Sequence, residues 1–293
     1  MRVFLIDGTY ELFRHFFGAP SHVNAAGQEV GAARAVVGSL LGLIEEAAPA
    51  GPVHIGVATD HVIESFRNGM WPGYKTGAGI DPTLRSQFGL LEDALSSAGL
   101  VVWPMVELEA DDALASAAAV ASADTNVDQV AICTPDKDLG QCVRNSRVVQ
   151  VDRRKRTVTD EDGVRAKYGI GPESIPDWLA LVGDSADGFP GLAGFGAKTA
   201  SAVLARYVHI ENIPDAPGQW DVAVRGVPTL AATLAAEREL AMLFRDLATL
   251  RTEPPVIAGV AELRYTGPTE DFTVMAEKVL EQPSLLRRAR AFG

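Results

Sequence analysis

The sequence predicts an α/β chain built on a mostly parallel, twisted sheet flanked by helices, and three observations point there. Short apolar runs alternate with longer alanine-rich and leucine-rich segments of helical spacing. Four of the apolar runs lead, directly or through a short loop, into a carboxylate. Hydrophobic residues make up 47% of the 293, enough for one large domain or two of ordinary size.

In chain order, the run Arg2 to Ile6 reads as a buried strand that delivers Asp7 at its C-terminal end. Gly31 to Ala48 has helical spacing. Val53 to Thr59 is a second strand and runs into Asp60. The stretch Arg67 to Gly79 is too rich in glycine to be regular. It carries Arg67, Trp71, Tyr74 and Lys75 among flexible joints, which would suit gripping a nucleic-acid strand, although composition alone favours an ordinary surface loop with a buried Trp.

Leu100 to Trp103 is a third strand leading to Glu109-Ala110-Asp111-Asp112, and Ala110 to Ala123 is helical. If that helix starts at about Asp111, Glu109 is free to turn inward. Asp112 then has helix capping as its alternative duty. Gln129 to Thr134 is a fourth strand and runs into Pro135-Asp136-Lys137-Asp138. A further strand from Arg147 precedes Arg153-Arg154-Lys155-Arg156, which reads as a solvated basic turn. A helix over Thr159 to Lys167 opens at Thr159 or Asp160. Asp184 and Asp187 follow, and then a glycine hairpin over Gly191 to Gly196 lies between two helices. The second of these opens at about Ala197-Lys198-Thr199, so its free N–H groups suit a phosphate. Glu237 to Leu250 is amphipathic, and the chain closes with Arg287, Arg288 and Arg290.

In parallel sheets ligands sit beyond the carboxyl ends of the strands, which is where these acids fall. One such Asp is commonly a cap or turn residue. Four strand ends carrying acids point instead to divalent cations. An all-oxygen donor set prefers magnesium or manganese, and two such ions about 4 Å apart can activate water and stabilise the leaving oxygen of a phosphodiester. Asp136, placed centrally in the order of the acids, is the candidate to bridge them.

Lys+Arg 26 against Asp+Glu 38 leaves a net charge of −12. That balance argues against a nucleic-acid partner, although metal ions on the acidic cluster would remove much of the deficit. Cys133 and Cys142 lack zinc spacing and imply no disulfide framework. The N-terminus is not a signal peptide, and no apolar stretch reaches membrane-spanning length, which together predict a cytoplasmic protein. Nothing suggests more than a monomer.

Ile6-Asp7-Gly8 with Arg14, Glu109-Ala110-Asp111-Asp112, Thr134-Pro135-Asp136-Lys137-Asp138-Leu139, and Gly183-Asp184 with Asp187 followed by Gly194-Phe195-Gly196-Ala197-Lys198-Thr199-Ala200 resemble the bacterial 5′-3′ exonucleases. These are flap endonucleases, the type of domain that also stands at the N-terminus of the bacterial repair DNA polymerase. The resemblance covers nearly all of residues 1 to 210. It implies a PIN-like core over 1–180 with a mobile arch at about 66–85, and a helical DNA-binding region over 181–293 with a helix-three-turn-helix at about 187–207. The chain looks like a stand-alone nuclease.

Carried over by that resemblance, Asp7, Asp60, Glu109 and Asp111 hold the first metal, Asp136 stands between the ions, and Asp138, Asp184 and Asp187 hold the second. Asp112 joins the metal candidates on its position. Arg14, Arg67, Tyr74 and Lys75 match substrate-facing positions, and Asp136, Lys75 and Arg67 are the candidate catalytic residues. Gly191, Gly194, Gly196, Lys198 and Thr199 bind the DNA backbone, with a potassium ion held by hairpin carbonyls. The implied partners are DNA with 5′ flaps, nicks or 5′ ends, including RNA-primed ends, in primer removal and repair.

The chain departs from the family pattern at Gly188, where Asn is common, at Phe195, where a smaller aliphatic is common, and at Thr76 to Ala78, where a second cation is common. Other readings of the same acids are a PIN-type ribonuclease acting on structured RNA and a non-catalytic DNA-binding protein. An aspartate-nucleophile phosphatase lacks the second Asp that Asp7-Gly8-Thr9 would need.

Overall fold

Val3, Phe4, Leu5 and Ile6 are all buried, which is why the first apolar run becomes a central strand with both faces covered. In the computed structural model, which describes residues 1–292, β1 (Arg2–Asp7), β2 (His54–Asp60), β3 (Val101–Met105) and β4 (Gln129–Cys133) pair in parallel in the order β3-β2-β1-β4. The register sets Asp7 opposite Ala58, Ile6 opposite Cys133, and Asp60 opposite Met105. Asp7 and Asp60 therefore close neighbouring strands at the same end of the sheet.

The helix Ala110–Ala123 packs across all four strands. Its buried residues are mostly alanines, among them Ala113, Ala117, Ala118 and Ala121, and their small volume lets the backbone lie close to the sheet. Helices Gly8–Gly18, Gly31–Ala47 and Gln87–Ser97 pack on one another. Residues from Thr252 onward belong to the same compact unit, together with Met1–Ile63 and Gly77–Thr134. They are tied in where the Tyr265 N–H donates to the Val53 carbonyl at 2.8 Å and the Val256 N–H to Ser116 Oγ at 3.1 Å.

The second unit comprises Glu64–Thr76 and Pro135–Arg251. Within it β5 (Val148–Asp152) and β6 (Thr157–Thr159) form an antiparallel hairpin. Its turn is the basic run, and Asp152 Oδ1 accepts the Arg154 and Lys155 N–H groups, so the run is a turn as its composition predicts. The helix Glu161–Tyr168 opens on Asp160, whose Oδ1 accepts the Gly163 N–H at 2.9 Å.

One helix boundary differs from the sequence reading. The helix expected from Glu237 runs over Val227–Ala248, and Glu237 sits inside it at φ −119°, ψ 20°, as a kink. Leu230, Ala231 and Leu234 of the earlier half are buried as fully as Ala241, Phe244 and Leu247 of the later half. One apolar stripe therefore continues through a break in the backbone. This unit has its own core, in which Phe189 stacks on Phe244 at 5.4 Å and Trp71 meets Phe244 edge-on at 5.1 Å. Among the described residues, no helix is long and apolar enough to cross a membrane.

Candidate metal centre

The first unit holds five of the predicted carboxylates, and backbone groups fix Asp7, Asp60, Glu109 and Asp112 among them. Asp7 caps the helix Gly8–Gly18, with Oδ1 accepting the Tyr10 N–H at 2.8 Å while Oδ2 accepts the Thr134 hydroxyl at 2.9 Å. Asp60 Oδ1 accepts the Ala110 N–H at 2.8 Å, and the Asp60 N–H donates to Thr9 Oγ1. These bonds link the end of β2 to the starts of two helices. Glu109 is the buried N-cap residue of Ala110–Ala123, and Asp111 is half-buried in its first turn.

Asp112 is fully buried, and its Oδ2 accepts the Glu109 N–H at 2.9 Å. It therefore performs the capping duty that its position offered, pointing back along the helix axis and satisfying an N-terminal donor. Arg14, about two turns further along the first helix from Asp7, is held by Glu11, with Nη2 at 2.5 Å from Oε2. Glu11 is wholly buried. Nothing in the spacing of the sequence singled it out.

The second acidic group lies within the second unit. Asp138, Asp184 and Asp187 are buried, and they offer carboxylate oxygens that all lie within 4.8 Å of one another. Asp136 is exposed on the loop after β4, and its Oδ1 accepts the Asp138 N–H. Two lysines enter this group. Lys75 Nζ is 3.1 Å from Asp187 Oδ1, and Lys137 Nζ is 2.5 Å from Asp184 Oδ2. Lys137 was overlooked as a site residue in the sequence. The available signal was its place between two acids in Asp136-Lys137-Asp138.

Burial pushes the Asp138 carboxyl well above its ordinary range, and the Asp136, Asp187 and Asp184 charges add to the push against the opposing pull of Lys137. Burial works against the Lys137 ammonium. Asp138 and the hydrogen bond to Asp184 outweigh it and hold that ammonium protonated beyond its ordinary range. Asp138 Oδ1 is buried with no hydrogen-bond partner. An orphaned carboxylate oxygen, an all-oxygen donor set and crowded negative charge together fit a hard divalent cation.

Two residues expected to face the substrate are buried. Arg67 is 1% exposed, and its guanidinium donates from Nε to the Leu247 carbonyl at 2.8 Å and from Nη2 to the Thr249 carbonyl at 3.1 Å. It knits the 64–76 segment to the end of the long helix. Tyr74 is 3% exposed within the core of this unit, so its ring has no free face for a base. Of the stretch expected as an arch, Arg67 and Tyr74 are thus buried, Met70 and Trp71 pack against the core, and Gly69, Pro72 and Gly73 are exposed. Lys75 is the one member of the trio whose charged end reaches the acids.

The glycine turn lies between helices Ile175–Val182 and Ala197–Tyr207. Gly191 adopts φ +71°, and a Cβ there would stand 2.4 Å from the Gly183 nitrogen, so glycine is required by contact as well as conformation. Gly196 differs from that expectation: it is extended, and its Cβ position is open. Its bareness leaves the helix N-terminus without a side-chain cap, beside exposed Lys198 and half-buried Thr199. Phe195 is buried in the core, where its extra volume is accommodated.

Gly188 at φ +85° would place a Cβ 2.0 Å from the Gly73 carbonyl oxygen. The turn is steadied by backbone instead, since the Gly188 N–H donates to the Asp184 carbonyl at 2.8 Å and Trp71 Nε1 donates to the Gly188 carbonyl at 3.1 Å. Gly188→Ala is expected to lower unfolding stability by about 1–3 kcal/mol, read in urea titrations, because the new methyl meets fixed backbone at a strained φ. A variant of wild-type stability would refute that account.

Fold and site together define a carboxylate-rich, metal-binding α/β protein of the resolvase-like class. Residues 2–169 match the family described as 5′-3′ exonuclease, N-terminal resolvase-like domain, and residues 170–271 match 5′-3′ exonuclease, C-terminal SAM fold. The chain belongs to the 5′-3′ exonuclease family. It is 30% identical over 288 residues to a 5′-3′ exonuclease of Aquifex aeolicus, covering 97% of this chain and 94% of that one. It is 31% identical over 302 residues to DNA polymerase I of Pseudomonas aeruginosa, and the match takes 99% of this chain but only 32% of that protein.

In fold, it is similar to the T5 D15 protein co-crystallised with metal ions, at TM-score 0.65 and 17% identity over 100% and 98% of the two chains. It is also similar to the catalytic core of Rad2 in complex with a DNA substrate, at TM-score 0.61 and 15% identity over 100% and 91%.

Proposed function

We propose that this chain hydrolyses DNA phosphodiesters as a 5′-3′ exonuclease and 5′-flap endonuclease, using magnesium or manganese held by its two acidic groups. The observation that carries the reading is the buried trio Asp138, Asp184 and Asp187, in which Asp138 has an orphaned oxygen and a raised proton affinity. The first ion is assigned to Asp7, Asp60, Glu109 and Asp111, the second to Asp138, Asp184 and Asp187, with Asp136 available from the exposed loop. When bound, such ions supply an activated water and neutralise charge on the leaving oxygen.

The chain's own groups do the rest in this reading. Asp7 and Asp60 are oriented by the backbone they cap. Lys75 brings a positive charge to the second acidic group for the scissile phosphate, and Arg14, braced by Glu11, is assigned to the substrate. The uncapped start of Ala197–Tyr207, with Lys198 and Thr199, grips the duplex backbone, and nearby carbonyls between Gly191 and Gly196 hold potassium. This reading takes the helices Ile175–Val182 and Ala197–Tyr207, with the glycine turn between them, as the helix-three-turn-helix. A cytoplasmic monomer acting in primer removal and repair completes the proposal.

The test is cleavage of 5′-flap, nicked and gapped DNA, with a matched RNA flap alongside. Product in magnesium or manganese, none in EDTA, and a loss of about 100-fold or more in Asp184→Asn are expected. Cleavage that survives EDTA, or none on any DNA, would overturn the reading. Preference for the RNA flap would favour the ribonuclease alternative.

A further inference from the structure

Lys137 turns its ammonium into the second acidic group although it sits on a loop beside an exposed Asp136. Its Nζ is 2.5 Å from Asp184 Oδ2 and 3.9 Å from Asp138 Oδ1. A hard divalent ion lies about 2.0–2.6 Å from each carboxylate oxygen it takes. An ion shared by Asp184 and Asp138 would therefore need the space where this ammonium lies. The lysine also meets only part of the demand there. It bonds Asp184, but at 3.9 Å it gives Asp138 Oδ1 no hydrogen bond, and that oxygen is buried without a partner.

Charge makes the same point. When all are ionised, as metal ligands must be, Asp138, Asp184 and Asp187 bring three negative charges, and Lys75 and Lys137 bring two positive ones. With both lysines seated, a divalent ion would meet a group carrying one net negative charge. With Lys137 swung out it would meet two.

We propose that Lys137 is a tethered counterion of the second acidic group, and that a divalent ion loads there by displacing its ammonium from Asp184. The lysine then keeps the buried carboxylates compensated before loading and raises the ion concentration at which loading occurs. The inference rests on the proposed metal-dependent reading only in that these carboxylates hold an ion.

The test is calorimetric titration of Mn2+ into wild-type protein, Lys137→Met, Lys137→Gln, Lys137→Arg and Asp184→Asn, with thermal unfolding in EDTA alongside. Both neutral variants are expected to bind the ion lost in Asp184→Asn about tenfold or more tightly than wild type, and to melt lower in EDTA. Lys137→Arg should restore weak binding, since it keeps the charge. Unchanged or weaker Mn2+ binding in a folded neutral variant would overturn the displacement, while wild-type binding that Asp184→Asn abolishes would leave the metal reading standing. Absence of any Mn2+ binding at this group in wild type would overturn both.

Discussion

Asp138→Asn is expected to stabilise the ion-free protein and, in the same molecule, to remove cleavage. Asp138 is buried, and its carboxyl is held well above its ordinary value of 3.8 by burial first and by Asp136, Asp187 and Asp184 after that. The folded state thus keeps this proton to higher pH than the unfolded chain does. The stability tied to it is intact below about 3.8 and declines as pH rises through the raised native value. At neutral pH the group is a net burden on the ion-free fold. The amide has nearly the same shape and no charge. In EDTA at pH 8 the variant should melt above wild type, and the gap should narrow as the pH is lowered toward 5. In magnesium its single-turnover rate on a 5′ flap should fall by about 100-fold or more, since losing an anionic ligand costs several kcal/mol of transition-state stabilisation. A variant that melts lower at pH 8 in EDTA, or cuts at the wild-type rate, would defeat this account.

Arg67→Met should do the reverse, damaging the fold before it touches chemistry. The guanidinium satisfies the Leu247 and Thr249 carbonyls and lies over the Phe66 ring at 4.6 Å. Met fills much of the volume but donates nothing, and each buried carbonyl left unpaired costs about 1–3 kcal/mol. A loss of about 3–5 kcal/mol in unfolding free energy is expected, measured in urea, with flap affinity unchanged in the protein that remains folded. Lysine should rescue poorly, because a single ammonium cannot span both carbonyls in fork geometry. Wild-type stability combined with weakened DNA binding would return Arg67 to the substrate-facing role that its place in the sequence suggested.

How much of the chain was legible beforehand depended on whether neighbours in sequence or neighbours in space set a residue's role. β1, β2, β3 and β4, the alanine-rich helix and the glycine turn were readable because apolar runs, small residues and turn glycines act locally. Capping by Asp160 was readable for the same reason, as was the capping bond that Asp112 makes to Glu109. The break at Glu237 was not, since an unbroken apolar stripe hides a backbone kink.

The sequence by itself determined the α/β class, the acids at the strand ends and the resemblance to the 5′-3′ exonucleases, because a carboxylate just after a buried strand is placed by the strand. Only the tertiary structure decided that Arg67 and Tyr74 face inward, that Gly188 has no room for a side chain beside Gly73, and that Lys137 answers Asp184. The physical reason is one of range. Burial and charge pairing depend on whatever folds alongside, and segments as far apart in sequence as Arg67 and Leu247 meet only once the chain has closed.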